Sequence, residues 1–271
     1  MTRPDFDPGD YVYGAALVGA AANVIMQLGL PPVGRGVYES PVESGRADRH
    51  PIKRGRTTLS YLAVAMLGTE EERASFRRAV NRSHAQVRST PDSPVPYNAF
   101  DPQLQLWVAA CLYRGFLDVI DAMQLDIDVV GDERFYQYAA RLGTTLQVKP
   151  EMWPADVAAF WAYWDRTAAE ITYDDDTRGY LHRLASFAAM PRPISSTVGR
   201  LQLFLTRGML PPAFRDAMGY TWDERDQARF DRIMRQAGWI SQRLPGVLRR
   251  FPLNLCLWDV RRRLNSGHSL V

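Results

Sequence analysis

The sequence predicts an all-α fold: a single helical domain over residues 1–271, built as a bundle that encloses a buried cofactor or substrate pocket. Three observations predict it. Apolar residues recur at three- and four-residue spacing along most of the chain, the period that puts side chains on one face of a helix. Helix-start signals recur as well, Thr69 with Glu72 and Asp101 with Pro102 among them. No run of alternating apolar and polar residues stands between turn signals, so nothing in the chain asks to be a strand. Neither an internal repeat nor a low-complexity linker divides the chain, and 271 residues can bury one sizeable core.

The first helix is expected over residues 11–30, YVYGAALVGAAANVIMQLGL. It is long enough to cross a bilayer. Asp5, Asp7 and Asp10 precede it, however, with Arg3 as the only basic side chain, a poor match to a signal peptide. Asn23, Gln27 and the abundance of alanine and glycine suit a buried helix approached closely by neighbouring backbone, so no transmembrane span is expected. A second helix is expected from near Thr57 through TTLSYLAVAML to a stop at Gly68. The third starts at once, because Thr69-x-x-Glu72 is a capping box, and it runs on through FRRAVNRSHAQVRS. Pro91, Pro94 and Pro96 in TPDSPVPYNAFD end it, since proline removes a donor and clashes with the preceding turn.

Asp101 caps the next helix, with Pro102 at its first position. Its sequence, DPQLQLWVAACLYRGFLDVIDAM, is apolar nearly all the way round, as a central helix must be. Further helices are expected over 132–146, 154–173 and 176–190, with Trp153, Phe160, Trp161 and Trp164 forming an aromatic wall that reads as core. MPRPISS, with Pro191 and Pro193, is expected to be a loop, and turns at Pro211 and Pro245 separate shorter helices.

Composition narrows the function classes. A net charge of +3 is too small to point to nucleic acid, and the basic side chains are almost all arginine, Lys53 and Lys149 being the two lysines. Cys111 and Cys256 sit in apolar surroundings, VAACLY and LNLCLW, where a thiol behaves as a small hydrophobe. That suits a reducing compartment, and a cytoplasmic location is expected. The four histidines, His50, His84, His182 and His268, show no HxxxH, HExxH or ExxH spacing, and there is no CxxC or CxxCH. Zinc sites, carboxylate-bridged di-iron bundles and covalent haem attachment thus lose their signatures. G-x-G-x-x-G, G-x-x-x-x-G-K-[ST] and G-x-S-x-G are absent too.

What remains is one histidine in an unusual place. Phe76, Val80, His84 and Val87 fall on one narrow helical face, so His84 stands inside the apolar stripe of an arginine-rich helix. An imidazole there needs a hydrogen-bond partner, a charged neighbour or a metal, and both a satisfied core histidine and a ligand are compatible with the pattern. Haem iron is a cofactor that needs only one imidazole. Arg77, seven residues before His84, lies on the same face. The run HPIKRGRTTLSYL sets Lys53, Arg54 and Arg56 before Thr57 and Thr58 at a helix mouth, an arrangement that suits an anion such as a haem propionate, or a solvated basic loop.

The succession KRGRTTLSYLAVAMLG, NRSHAQVRS, YNAFDPQLQLWVAACL and MLPPAFRDAMGYTW resembles the oxygenase family that contains the latex-clearing rubber oxygenases and the MpaB-type fungal oxygenases, over roughly residues 10–260. The resemblance implies an all-α fold holding one non-covalent haem b, with His84 matching the family's proximal iron ligand. It also implies that Arg54 and Thr58 match the arginine and threonine beside the haem pocket. Arg77 is a further candidate for neutralising propionates through its place on the face of His84, not through the resemblance. Thr57 holds the place where the characterised rubber oxygenases have a distal lysine, and Ala109 the place where many relatives carry a histidine. Glu39, in GVYES, stands near where the family can place an acidic residue proposed as a base; a carboxylate paired with Arg35 or Arg46 is the other reading. The implied activity is a haem b-dependent oxidoreductase, an oxygenase that uses O₂ on a lipophilic, isoprenoid-class substrate. The alternative is a helical haem- or lipid-binding protein without turnover. No nucleic-acid partner is expected, while peripheral membrane contact and a homo-oligomer stay open.

Overall fold

A computed structural model describes residues 13–42, 49–127 and 131–271. Among these residues every regular element is helical, and the only β contact is an isolated bridge between Arg88 and Asn98. The expected all-α class holds. The 11–30 segment departs from one continuous helix: Gly14–Gly19 form a 3₁₀ helix, α1 follows over Ala20–Leu28, and α2 over Pro31–Tyr38 leaves at 108°. Pro31 and Pro32 cause the break, since neither can donate the N–H that would continue α1. No single helix among the described residues is long and apolar enough to cross a membrane; only this bent pair has the combined length and composition.

Helix α3 spans Pro51–Leu67 and begins a turn and a half before the expected start. Pro51 at its first position explains the difference: its fixed φ starts a helix without any capping side chain, and none is supplied by His50. Lys53, Arg54 and Arg56 therefore stand on the first turns of α3, not on a loop before its mouth. Helix α4, Glu70–His84, opens with the expected capping box: the Thr69 amide donates to Glu72 Oε2 at 2.9 Å and the Glu72 amide to Thr69 Oγ1 at 3.3 Å. Helix α5, Pro102–Met123, opens as expected too, with the Gln103 amide donating to Asp101 Oδ1 at 2.8 Å.

The expected 132–146 helix is divided at Ala140 into α6, Glu133–Ala139, and α7, Arg141–Thr144. Helix α8 covers Val157–Ala168 and α9 covers Asp175–Ala185. Trp153, Phe160 and Trp164 are buried as the core wall, with Trp161 partly so. MPRPISS is not a loop: α10, Arg192–Met209, begins inside it, because Pro193 is tolerated in a first turn. Helices α11, Pro212–Ala217, α12, Glu224–Arg243, α13, Gly246–Arg249, and α14, Leu253–Asn265, complete the chain, with the breaks at Pro211 and Pro245 where turns were expected.

Helix α5 is the spine, packed against α1, α7, α12 and the 3₁₀ helix. Trp107, Ala110, Cys111 and Tyr113 are almost wholly buried around it. Its crossing with α1 is tight and polar. Asn23 Nδ2 donates to the Cys111 carbonyl at 2.5 Å, Gln27 Nε2 to Asn23 Oδ1 at 2.6 Å, and Trp107 Nε1 to the Gln27 carbonyl at 3.1 Å. Gly115 makes room for this chain of bonds, since a Cβ there would stand 2.0 Å from Asn23 Nδ2. In an open helix Gly→Ala stabilises by about 1 kcal/mol. Here overpacking of roughly 1–3 kcal/mol opposes that gain, so Gly115→Ala is expected to lower the urea midpoint; a raised midpoint would mean that the crossing yields freely.

Candidate functional site

The site forms where the N-terminal half of α3 meets the C-terminal end of α4. His84 is the last residue of α4, and its ring stands edge-on to Phe100, 6.3 Å between centroids. Nδ1 of His84 is buried and has no hydrogen-bond partner. A helix C-terminus ordinarily favours an imidazolium by a fraction of a kcal/mol to about 2 kcal/mol. Burial and, after it, the positive charge of Arg54 override that preference and push the imidazole pKa down to about 4. At neutral pH His84 therefore carries a neutral ring whose Nδ1 has no hydrogen-bond partner.

Arg54 has accessible area in plenty, yet burial lowers its guanidinium pKa, with the Tyr180 phenol of α9 partly offsetting the effect. No carboxylate among the described residues contributes to holding its charge. Thr58 lies one turn further along the same face of α3, its hydroxyl donating to the Arg54 carbonyl at 3.0 Å. Thr57, a neighbour on the next face, donates likewise to the Lys53 carbonyl at 3.1 Å. Both hydroxyl protons are spent on the helix backbone, leaving oxygen lone pairs as their outward chemistry.

The remaining residues have partners of their own. Arg77 Nε donates to the Thr145 carbonyl at 2.7 Å and its Nη2 to the Thr144 carbonyl at 2.8 Å, so this guanidinium clamps the end of α7. Glu39 accepts from Ser93 Oγ at 2.7 Å and Tyr97 OH at 2.9 Å through Oε2, while Oε1 lies 3.7 Å from Arg35. Arg35 reaches Asp174 and Asp176 at 2.9 and 3.3 Å, which ties α2 to α9. Arg46, the other partner considered for Glu39, lies outside the described residues. Ala109 is buried in α5 against Gly143 of α7, a contact with no room for an imidazole.

The structure thus brings Arg54 and His84 together, with Thr58 beside Arg54, and gives Glu39 and Arg77 separate bracing contacts. Phe100 and Tyr180 belong to the site and were not singled out by sequence. Phe100 carried one signal, its place just before the Asp101 cap, where an apolar residue often packs on the helix it precedes. Tyr180 carried none, because only the tertiary fold brings α9 to α3.

A helical protein whose site sets a neutral histidine near an arginine that no carboxylate among the described residues balances is the class these features define. The chain belongs to the family described as ER-bound oxygenase mpaB/B'/Rubber oxygenase, catalytic domain, whose model matches residues 12–239. It is 47% identical over 251 residues to the uncharacterized protein Rv2237 of Mycobacterium tuberculosis, covering 93% of this chain and 98% of that one. The same figures hold for the uncharacterized protein Mb2261 of Mycobacterium bovis. No solved structure matches the chain.

The depressed pKa of His84 has a thermodynamic consequence. Unfolding restores the ordinary value of 6.5, so between about pH 6.5 and 4 the unfolded chain binds a proton that the folded chain does not. Stability contributed by this group is intact above that window and is lost as pH falls through it. The loss due to His84 is expected to reach about 3 kcal/mol at most. Urea midpoints measured across this range on wild type and His84→Phe test it; identical pH slopes would overturn it.

Proposed function

We propose that the chain is a haem b-dependent oxidoreductase, an oxygenase that uses O₂ on a lipophilic, isoprenoid-class substrate, with His84 as the axial ligand of the iron. The observation that carries the reading is the half-buried His84 imidazole, neutral at physiological pH and with its buried Nδ1 unpartnered, at a position that resembles that of the family's histidine. A metal needs a deprotonated ring, and this environment supplies one. When bound, haem supplies the redox chemistry with O₂. This chain's own residues would do the rest. Arg54 would neutralise a carboxylate of the cofactor, and Thr58, on the same face of α3, would add a hydroxyl oxygen beside it. Arg77 positions α4 by clamping the end of α7 two turns before His84. Thr57 holds the sequence position of the rubber oxygenases' lysine and would offer a hydroxyl oxygen there. The proposed compartment is the cytoplasm, where Cys111 and Cys256 stay reduced; burial raises both thiol pKa values and keeps them unreactive.

Wild-type protein supplied with haem is expected to show a Soret band that His84→Ala abolishes while its far-ultraviolet circular dichroism stays unchanged. A haem-supplied wild type without the band would remove the proposal. A non-catalytic haem- or lipid-binding protein is the second reading, favoured by Thr57 and Ala109: neither supplies an ionisable group where oxygenase relatives have lysine or histidine. Oxygen consumption by the reduced, haem-loaded protein with isoprenoid lipids separates the two.

Glu39 enters as the candidate base, but its three partners favour a bracing role. Glu39→Gln keeps the shape and removes the charge; it is expected to cost roughly 1–3 kcal/mol of stability, read as a lower urea midpoint, through the weakened Arg35, Ser93 and Tyr97 contacts. A variant of wild-type stability that has lost oxygen consumption would instead make Glu39 the base.

A further inference from the structure

The end of α12, the short α13 and the outer face of α14 carry large apolar side chains that the fold leaves uncovered. Trp239, Val247, Leu248, Phe251, Leu255 and Trp258 are all at least half exposed, from 50% at Leu255 to 72% at Val247. Leu255 and Trp258 stand three residues apart on one face of α14, Phe251 lies just before that helix, and Asn254 Nδ2 donates to the Val247 carbonyl at 2.9 Å, holding α13 to the start of α14. Trp239 stands near the end of α12, which Leu244 and Pro245 join to α13. The opposite face of α14, with Leu253, Cys256, Leu257 and Val260, is buried, and α14 packs chiefly on α3. Helix α14 is therefore apolar on two sides, and folding uses only one.

The charges around this surface are mostly positive, although Arg261 is paired with Glu72 of α4 at 2.7 Å. Between Trp239 and Arg263 stand six arginines and a single carboxylate, Asp259, which is itself paired with Arg262 at 2.8 Å and Arg263 at 2.6 Å. Each tryptophan carries a guanidinium on its ring, Arg243 over Trp239 at 3.9 Å and Arg262 over Trp258 at 5.6 Å. Exposed Ile52 of α3, one turn before Arg56, extends the surface, since Arg56 reaches Asp259 at 3.8 Å. Nucleic acid would satisfy the arginines and leave the aliphatic side chains in water. An apolar protein partner would do the reverse. A bilayer with anionic headgroups takes both at once, with tryptophan at the headgroup level and arginine against phosphate.

We propose that this C-terminal surface docks the protein on anionic phospholipid bilayers. Such docking needs neither haem nor turnover, so its measurement stands apart from the axial-ligand reading. Purified full-length protein is expected to sediment with vesicles containing phosphatidylglycerol, with a blue shift of tryptophan emission, and to be released by high salt. Pure phosphatidylcholine vesicles should hold it far more weakly. Arg243→Gln should weaken binding about fivefold, as expected for one basic side chain at a charged surface. Trp239→Ser with Trp258→Ser should weaken it more than tenfold with an unchanged melting temperature, because both side chains are mostly exposed. Three results would overturn the proposal: no sedimentation with either vesicle, binding indifferent to all of these substitutions, or a dimer in sedimentation velocity that Trp239→Ser with Trp258→Ser dissolves.

Discussion

The tertiary structure depends on one constraint, that α5 must satisfy its own backbone while neighbours press on every side of it. Most of its buried side chains are apolar; Arg114, lying over Trp161 and Trp164 of α8, is a charged exception, and much of the remaining anchoring falls to backbone carbonyls and to a few amides aimed at them. Asn23 bonds the Cys111 carbonyl and locks α1 on one side. On the other side Gly143 of α7 meets Ala109, and α7 in turn receives most of the polar contacts from the site helices. Tyr61 of α3 donates to the Leu142 carbonyl at 2.5 Å, Arg77 of α4 donates to those of Thr144 and Thr145, and Arg141 reaches back to the Gly68 carbonyl at 2.7 Å. Carbonyls at a short helix's C-terminus are unpaired within the helix, which makes them natural acceptors for such braces. The α3–α4 pair, and with it the Arg54–His84 arrangement, is hung on the spine through α7.

Electrostatics at the site reverse the local rule. A histidine at a helix C-terminus sits where the dipole welcomes a proton, and a nearby arginine gives it every reason to refuse one. Coulomb repulsion acts here through protein, where it is screened far less than in water. Burial and the guanidinium win, and a side chain placed where it should be cationic is neutral.

Local chemistry explains which elements could be read from the sequence. The capping box at Thr69 and the Asp101–Pro102 start involve neighbours a few residues apart, so the sequence contains the whole interaction. The starts at Pro51 and Arg192 were misplaced for one shared reason: proline signals a loop as strongly as it signals a first helical turn, and only the course of the backbone decides. The break at Ala140 has no proline or glycine at that residue to announce it. For the site, the stripe of α4 made the placement of His84 legible, since its period is local. The proximity of Arg54 to His84 and Tyr180 was not legible from spacing, because three helices separated by long stretches of chain must first be docked. Family resemblance pointed to His84, Arg54 and Thr58, but carried no word of what Arg77 and Glu39 are bonded to.

Arg54 differs from the other groups at the site in that it cannot shed its charge within any ordinary pH range. Among the described residues no carboxylate contributes to holding that charge, so its partial burial is a cost to the fold. An anion bound beside Arg54 would offset that cost and shift the folding equilibrium by mass action, so ligand binding at this site and the stability of the α3–α4 pair are two readings of one free energy.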